Sequence, residues 1–334
     1  MDTTSLLAQL ELGIGTWQWG DQWMWGYGGQ YGAADIKAAF DACLAGGINF
    51  FDTAEVYGLG RSERFVGQFV KAAGKPVILA TKFFPFPWRL SKSRLRHALR
   101  GSLERLGVER VDLYQIHFPA PPVAIETWRD ALAEAVAAGL VREVGVSNYN
   151  VAQLQCAYGA LAQRGVKLAS NQIRYSLLER TPERTGLFAL CRELDVRLIA
   201  YSPLAQGVLS GKYTPSNPLP GARARRYNRQ YLAHIQPLLA LLRERGEAHG
   251  QKTPGQVALN WLICKGALPI PGVKNARQAE QNLAATGWRL TEAEVSALDA
   301  ASEAALDGAG EKAPSQPVNK PWQRRARSNA PKVK

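Results

Sequence analysis

Phe51-Asp52-Thr53-Ala54-Glu55-Val56-Tyr57-Gly58 follows the apolar run Ile48-Asn49-Phe50-Phe51 and leads into Gly58-Leu59-Gly60. The run has the length and character of a buried strand, and the glycines mark a loop. A carboxylate, Asp52, therefore stands at a strand end, with a phenol, Tyr57, in the loop beyond. Two later runs end in the same way. Val77-Ile78-Leu79-Ala80-Thr81 leads into Lys82, and Val111-Asp112-Leu113-Tyr114-Gln115-Ile116 leads into His117. These four side chains act together only if successive strand ends converge. A parallel barrel does this, because its functional residues come from the C-terminal ends of several strands.

Outward from this stretch, strand and helix patterns alternate. Strands are expected at Glu11 to Thr16, at Leu140 to Val146 (ending in Ser147-Asn148), at Leu168 to Gln172, at Val196 to Ala200 (ending in Tyr201-Ser202-Pro203) and at Leu268 to Ile270. Helical periodicity covers Asp35 to Ala45, a helix capped by Ser62, Ser91 to Leu106, Ile125 to Ala138, Val151 to Gln163 and Glu183 to Leu194. It covers further helices at about 230–249 and 254–265 and from Ala276 to Ala285, and Thr291-Glu292-Ala293-Glu294 is a capping box for a last helix to about Ser302. Repeating strand–helix units of roughly 30 to 40 residues indicate a parallel sheet. Eight of them in about 270 residues predict an α/β fold, a single-domain (β/α)8 TIM barrel over residues 1–306. Leu204 to about Tyr231, with Gly207, Gly211, Pro215, Pro218, Pro220 and Gly221, is expected as a long loop, and such loops are usually functional or disordered.

The chain has 334 residues and is 46% hydrophobic, enough for one large core. No apolar run reaches membrane-spanning length, so no membrane partner is expected. Met1 to Gln9 lacks the pattern of a secretory signal, which predicts a cytoplasmic protein, or an organellar one if a transit peptide has been removed. Cys43, Cys156, Cys191 and Cys264 are far apart, without metal-ligand spacing, and are expected as buried reduced thiols with no metal. The net charge of +13 would suit a nucleic-acid partner, but from Lys312 onward there are seven Lys or Arg and no acid, with a second cluster at Arg223, Arg225, Arg226 and Arg229. No nucleic-acid motif accompanies them, so none is expected as partner. Residues 307–334 are expected to be a disordered or loosely docked basic tail, with Trp322 as its one anchor.

Trp17, Trp19, Trp23 and Trp25 crowd the loop after the first strand. Trp17 and Trp19, directly behind the strand, are expected to line a substrate pocket. Trp88, in the stiff segment Pro85-Phe86-Pro87-Trp88 beyond Lys82, is a third wall residue. Lys274 and Arg277 follow Pro271-Gly272 where a helix begins. On spacing alone they are either phosphate ligands, since barrels bind phosphate with their last two loops and a helix N-terminus, or ordinary surface charges.

A phenol beside an ammonium is a better proton donor than a free one. A carboxylate keeps that ammonium charged and in place, and a histidine can hydrogen-bond a substrate oxygen. The set suits protonation of a carbonyl oxygen as a hydride arrives at carbon, which calls for a hydride carrier. Asp52, Tyr57, Lys82 and His117, set in FDTAEVYG, ATKF and DLYQIH, resemble the catalytic tetrad of the aldo-keto reductases. GLVREVGVSNYN, NQIRYSLL, YSPLAQGVLSGKY and IPGVKNARQAEQN extend the resemblance from Leu12 to about Ser302.

The resemblance implies an NADPH-dependent oxidoreductase that reduces an aldehyde or ketone, with Tyr57 as general acid, Lys82 lowering its pKa, Asp52 holding Lys82 and His117 orienting the carbonyl. It implies that Ser147, Asn148 and Gln172 hold the nicotinamide carboxamide and that Tyr201 stacks on the ring. Ser202, Leu204, Gln206 and Gly207 match the pyrophosphate segment, and Gly272, Lys274, Gln278, Gln281 and Asn282 match the adenosine and 2′-phosphate region. Gly272, Gln278 and Gln281 depart from the residues common there, which leaves Lys274, with Arg277 as an alternative, to supply the charge that selects NADP(H). A second class of function stays open, because some proteins of this kind resemble NADP-binding regulatory or redox-sensing subunits of a channel or another partner, with slow turnover. The oligomeric state is not readable.

Overall fold

The computed structural model describes residues 5–119 and 123–307; the basic tail from residue 308 and Trp322 lie outside them. Eight strands follow one another around a single parallel sheet: β1 Ile14–Gly15, β2 Phe50–Asp52, β3 Ile78–Phe83, β4 Val111–Ile116, β5 Val141–Ser147, β6 Leu168–Arg174, β7 Arg197–Tyr201 and β8 Leu268–Ile270. Gly13 N and Gly15 N donate to Pro269 O and Pro271 O, at 3.0 and 3.1 Å, and join the last strand to the first. The fold is the expected (β/α)8 barrel.

The strand period of two decides what faces inward. Phe50, Ala80 and Leu113 share an interior cluster with Ile199, Leu268 and Ile270, whereas Phe51, Leu79 and Tyr114 belong to the larger core under the helices. Two residues further along β2, β3 and β4 stand Asp52, Lys82 and Gln115, paired in register as Asp52 with Ala80 and Lys82 with Gln115. Apolar residues thus fill the lower barrel and a polar layer covers it at the C-terminal end. Leu7, fully buried, joins the interior cluster from the N-terminal turn, which Leu6 N ties to Glu143 Oε1 at 2.8 Å.

Several local expectations need correction. The helix Arg61–Ala73 is preceded by Gly60 in the left-handed region, so Ser62 lies inside it; Ser62 is buried, its hydroxyl donating to Thr16 O at 2.9 Å. Gly186, also left-handed, separates Thr181–Arg184 from Leu187–Glu193 where one helix was expected. Pro237, which has no amide hydrogen, starts Gln236–Ala248 as a helix distinct from Arg229–His234. The long segment after β7 carries the short 3-10 helices Ala205–Ser210 and Gly221–Arg225. The last helix, Glu292–Asp307, extends past Ser302 and past the expected domain limit at 306. Of the thiols, Cys43 and Cys191 are buried, but Cys264 is only half-buried and Cys156 is exposed.

Candidate active site

At the C-terminal end of the barrel Asp52 receives three donors. Lys82 Nζ donates to Oδ1, and Gln115 Nε2 and Gln172 Nε2 donate to Oδ2 at 3.0 and 2.8 Å. Lys82, completely buried, also donates to Thr53 O at 2.8 Å and to Tyr57 Oη at 3.4 Å. An ammonium has three hydrogens and no lone pair, so these three acceptors use its full capacity. The Tyr57 oxygen accepts from Lys82, and its own hydrogen is left to donate elsewhere.

The turn beyond Tyr57 is strained. Gly58, Leu59 and Gly60 have φ of 56°, 58° and 83°. A Cβ on Gly58 would lie 2.7 Å from Gly20 O, so the backbone approaches too closely for a side chain. Leu59 holds a left-handed conformation unusual for a side chain of its size, a feature that clusters at functional sites. The result keeps the phenol over the barrel, where Trp17 stacks on it at 5.9 Å and His117 meets it edge-on at 5.8 Å.

The protonation states follow from burial. Burial pushes the Tyr57 phenol well above its ordinary value, and the Asp52 carboxylate adds to the rise. This reverses the expected lowering by Lys82, whose charge is paired with Asp52 at close range. Burial pulls Lys82 down while Asp52 pulls it back up. His117 is held well below its ordinary value, first by burial and then by the Lys82 ammonium. At neutral pH the site therefore presents a protonated phenol and a neutral imidazole. His117 Nδ1 is buried with no hydrogen-bond partner among the described residues.

Asp52, Tyr57 and His117 border a cavity of about 680 Å³, with Lys82 behind them. All thirteen residues expected around a dinucleotide line this cavity: Ser147, Asn148, Gln172, Tyr201, Ser202, Leu204, Gln206, Gly207, Gly272, Lys274, Gln278, Gln281 and Asn282. Hydrogen bonds order its floor. Ser147 Oγ donates to Gln172 O at 2.8 Å, Asn148 Nδ2 donates to His117 O at 3.0 Å, and Tyr201 Oη donates to Asn148 Oδ1 at 3.0 Å. Asn148, Ser202 and Gln206 all have positive φ, at 63°, 51° and 59°. At the far wall Lys274 N donates to Gln278 Oε1 at 2.8 Å, and Asn275 caps the helix Ala276–Leu283.

The aromatic expectations divide. Trp17 lines the cavity. Trp19 does not: it is fully buried among Phe40, Phe51 and Phe69, with its Nε1 donating to Val273 O at 2.9 Å. Trp88 is 69% exposed and stacks on Phe86 at 4.8 Å, outside the cavity. Phe84 and Phe118 form the wall instead. Glu55 Oε1 fixes that wall by accepting from Phe84 N at 2.6 Å and from Arg89 Nη1 at 2.5 Å. Arg277 is absent from the lining, and Lys212 and Arg223 stand with Lys274 as its cations. Arg223 belongs to the second basic cluster of the sequence, and Lys212 stands apart from both clusters. Lys212 follows Gly211 in the segment GVLSGKY, and that is the signal that could have found it.

A profile of the aldo/keto reductase family matches residues 11–303. The chain is 43% identical over 312 residues to the chloroplastic pyridoxal reductase of Arabidopsis thaliana, covering 89% of this chain and 84% of that protein. It is 31% identical to the NADP(+) aldo-keto reductase yakc of Schizosaccharomyces pombe, covering 79% of this chain and 81% of that one. Among solved structures, the glycerol dehydrogenase of Gluconobacter oxydans superposes with a TM-score of 0.76 at 28% identity, covering 87% of this chain and 90% of that one. An aldo/keto reductase from Klebsiella pneumoniae in complex with NADP and acetate gives 0.69 at 28% identity, with the same coverage. The chain is an oxidoreductase and belongs to the aldo/keto reductase family.

Proposed function

We propose that this chain reduces an aldehyde to the alcohol with NADPH, Tyr57 acting as general acid. The observation that carries the reading is the hydrogen-bonded chain from Asp52 through Lys82 to Tyr57 Oη, which leaves the phenolic hydrogen as the one the cavity can receive.

The cavity suits a large polyanion. Lys212, Arg223 and Lys274 stand together on its wall, and Asp52, already paired with Lys82, is the sole carboxylate among its lining residues. Three of its lining residues carry a buried polar atom with no hydrogen-bond partner among the described residues: Gln18 Oε1, Trp25 Nε1 and His117 Nδ1. Ser147, Asn148 and Gln172 would hold the carboxamide. Because the Gln172 Nε2 amide is committed to Asp52, its oxygen is the acceptor it can offer. Tyr201 would stack on the nicotinamide, Ser202, Leu204, Gln206 and Gly207 would take the pyrophosphate, and Gly272, Lys274, Gln278, Gln281 and Asn282 the adenosine end. Bound there, NADPH supplies the hydride. Tyr57 gives the proton to the carbonyl oxygen, Lys82 stabilises the phenolate left behind, and the neutral His117 donates a hydrogen bond that orients the same oxygen.

Trp17, Phe84 and Phe118 give the substrate end three aromatic faces, which suit a flat aromatic aldehyde by offset stacking. Pyridoxal, the substrate in the name of one relative, is the first probe. The test is NADPH oxidation under multiple turnover with pyridoxal, benzaldehyde and small aliphatic aldehydes. Sustained turnover with an aromatic aldehyde is expected. Consumption of no more than one equivalent of NADPH with every aldehyde would overturn the reading and leave a regulatory NADP-binding protein.

A further inference from the structure

The loop that follows β1 folds back across the cavity and is pinned at Asp21. Asp21 Oδ1 accepts from Met24 N at 2.8 Å, and its Oδ2 accepts from Trp17 Nε1 at 3.1 Å. This delivers Trp25 to the cavity wall, edge-on to Trp17 at 5.6 Å. Two cations from other loops converge on it. Lys274 Nζ donates to Trp25 O at 2.8 Å and lies 5.5 Å from the centre of its ring, and Arg223 Cζ lies 5.6 Å from the same ring. Lys274 also sits 4.4 Å from the ring of Tyr31.

The indole nitrogen of Trp25 is buried and has no hydrogen-bond partner among the described residues. Indole Nε1–H is a donor only. The two cations set over its ring, Lys274 and Arg223, are donors as well, and the Trp25 carbonyl is taken by Lys274. A buried donor without an acceptor costs free energy comparable to a lost hydrogen bond, so an unpartnered donor on a ring that carries two cations over it points to an anion as its partner. Burial, with Arg223 and Lys212 adding repulsion, draws Lys274 down to about 8, which marks the same spot as short of negative charge.

We propose that Trp25 is a ligand of the cofactor's 2′-phosphate, its Nε1–H donating to a phosphate oxygen beside Lys274. The proposal rests on the NADPH reading above and extends it: the choice of NADPH over NADH is made jointly by the loops after β1, β7 and β8. Trp25 also shields the phosphate from water, which strengthens the charge-assisted bonds that Lys274 and Arg223 make to it.

The experiment measures dissociation constants of NADPH and NADH by cofactor fluorescence for the full chain, Trp25→Phe and Trp25→Ala, with thermal unfolding as the check of folding. Trp25→Phe keeps an aromatic ring against both cations and removes the N–H together with the second ring, so the comparison of NADPH with NADH separates the lost donor from the lost packing. A hydrogen bond to a charged group corresponds to about tenfold or more in affinity. Trp25→Phe is therefore expected to weaken NADPH about tenfold and to leave NADH within twofold, and Trp25→Ala to weaken NADPH further. NADPH affinity within twofold of wild type in Trp25→Phe, or an equal loss for NADH, would overturn the proposal. Failure of the wild type to bind NADPH would instead overturn the cofactor reading beneath it.

Discussion

Replacing Asp52 with Asn tests the centre of the site, because the carboxylate serves Lys82, Gln115 and Gln172 at once. Asn offers one acceptor in place of two and carries no charge, so the fully buried Lys82 loses its counter-ion. A lone buried ammonium escapes by giving up its proton. That route sets a ceiling on the damage. Neutralising a lysine of ordinary pKa about 10.4 at pH 7 costs about 4.6 kcal/mol, at 1.36 kcal/mol per pH unit. The figure agrees with the ~3–5 kcal/mol observed when one partner of a buried pair is removed. Its sign against pH is fixed. In the variant Lys82 is neutral when folded and protonated when unfolded, so the unfolded state binds more protons and stability rises with pH below the ordinary lysine value. Between pH 7 and pH 9 the variant should recover up to about 2.7 kcal/mol of its deficit against wild type. Urea unfolding at both pH values reads this directly, and the double variant Asp52→Asn with Lys82→Met should regain most of the stability while staying inactive. A deficit that is the same at both pH values, or a double variant no more stable than Asp52→Asn, would show that an unpaired Lys82 is not the cause.

Three further outcomes are expected. Tyr57→Phe should lower the rate of aldehyde reduction about 10²- to 10⁴-fold while the NADPH dissociation constant, measured by fluorescence, stays within about twofold, since the phenol comes from the loop after β2 and the cofactor residues proposed above from β5 to β8 and the segments that follow them. Lys274, drawn down to about 8, should lose its charge as pH rises past that value; NADPH should then bind more weakly, by up to about tenfold per pH unit, while NADH does not, and Lys274→Ala should abolish that difference in titrations at pH 7 and 9. Phe84→Ala should lower kcat/KM for an aromatic aldehyde about two- to tenfold, the worth of one aromatic contact, whereas Trp88→Ala, outside the cavity, should leave it within about twofold in the same steady-state assay.

The barrel was legible because strand and helix patterns alternate with little interruption, and because strand ends carrying Asp52, Lys82 and His117 have meaning only if they converge. The period of two explains the polar layer: once Phe50 faces inward, so does Asp52. What the pattern could not give is the course of the loops. Trp17 and Trp19 are two residues apart in a stretch without regular period, and only the turn at Thr16 to Trp19, closed by Trp19 N to Thr16 O at 2.9 Å, sends one to the cavity and the other into the core. Lys212 and Arg223 come from the long segment after β7 and Trp25 from the loop after β1, and no local spacing tells that the two segments meet. Leu7 belongs to the barrel interior although nothing in its neighbourhood has strand or helix period. The breaks at Gly186 and Pro237 were visible in the sequence and outweigh the apolar periodicity that runs across them, since one needs a left-handed turn and the other lacks an amide hydrogen.

The protonation pattern bears on how the site would promote the proposed reduction. Tyr57 is raised and His117 is lowered, both chiefly by burial, so the two groups facing the cavity are neutral at physiological pH and both can act as donors. Donors are what a carbonyl oxygen needs as it gains negative charge. Oxidation of an alcohol needs the opposite, a phenolate ready to take a proton, and the same burial that keeps Tyr57 protonated makes that state scarce. Lys82 does not remove this bias in the resting site, because its charge is already paired with Asp52. Its hydrogen bond to Tyr57 Oη gains strength only when the phenol has given up its proton, since a charge-assisted bond is about twice as strong as a neutral one. Stabilisation that grows as the proton leaves favours the transition state over the ground state, and that is the condition for accelerating reduction. On the proposed mechanism, Asp52 and Lys82 would serve less to make Tyr57 acidic at rest than to keep a fixed dipole aimed at the oxygen where charge would develop.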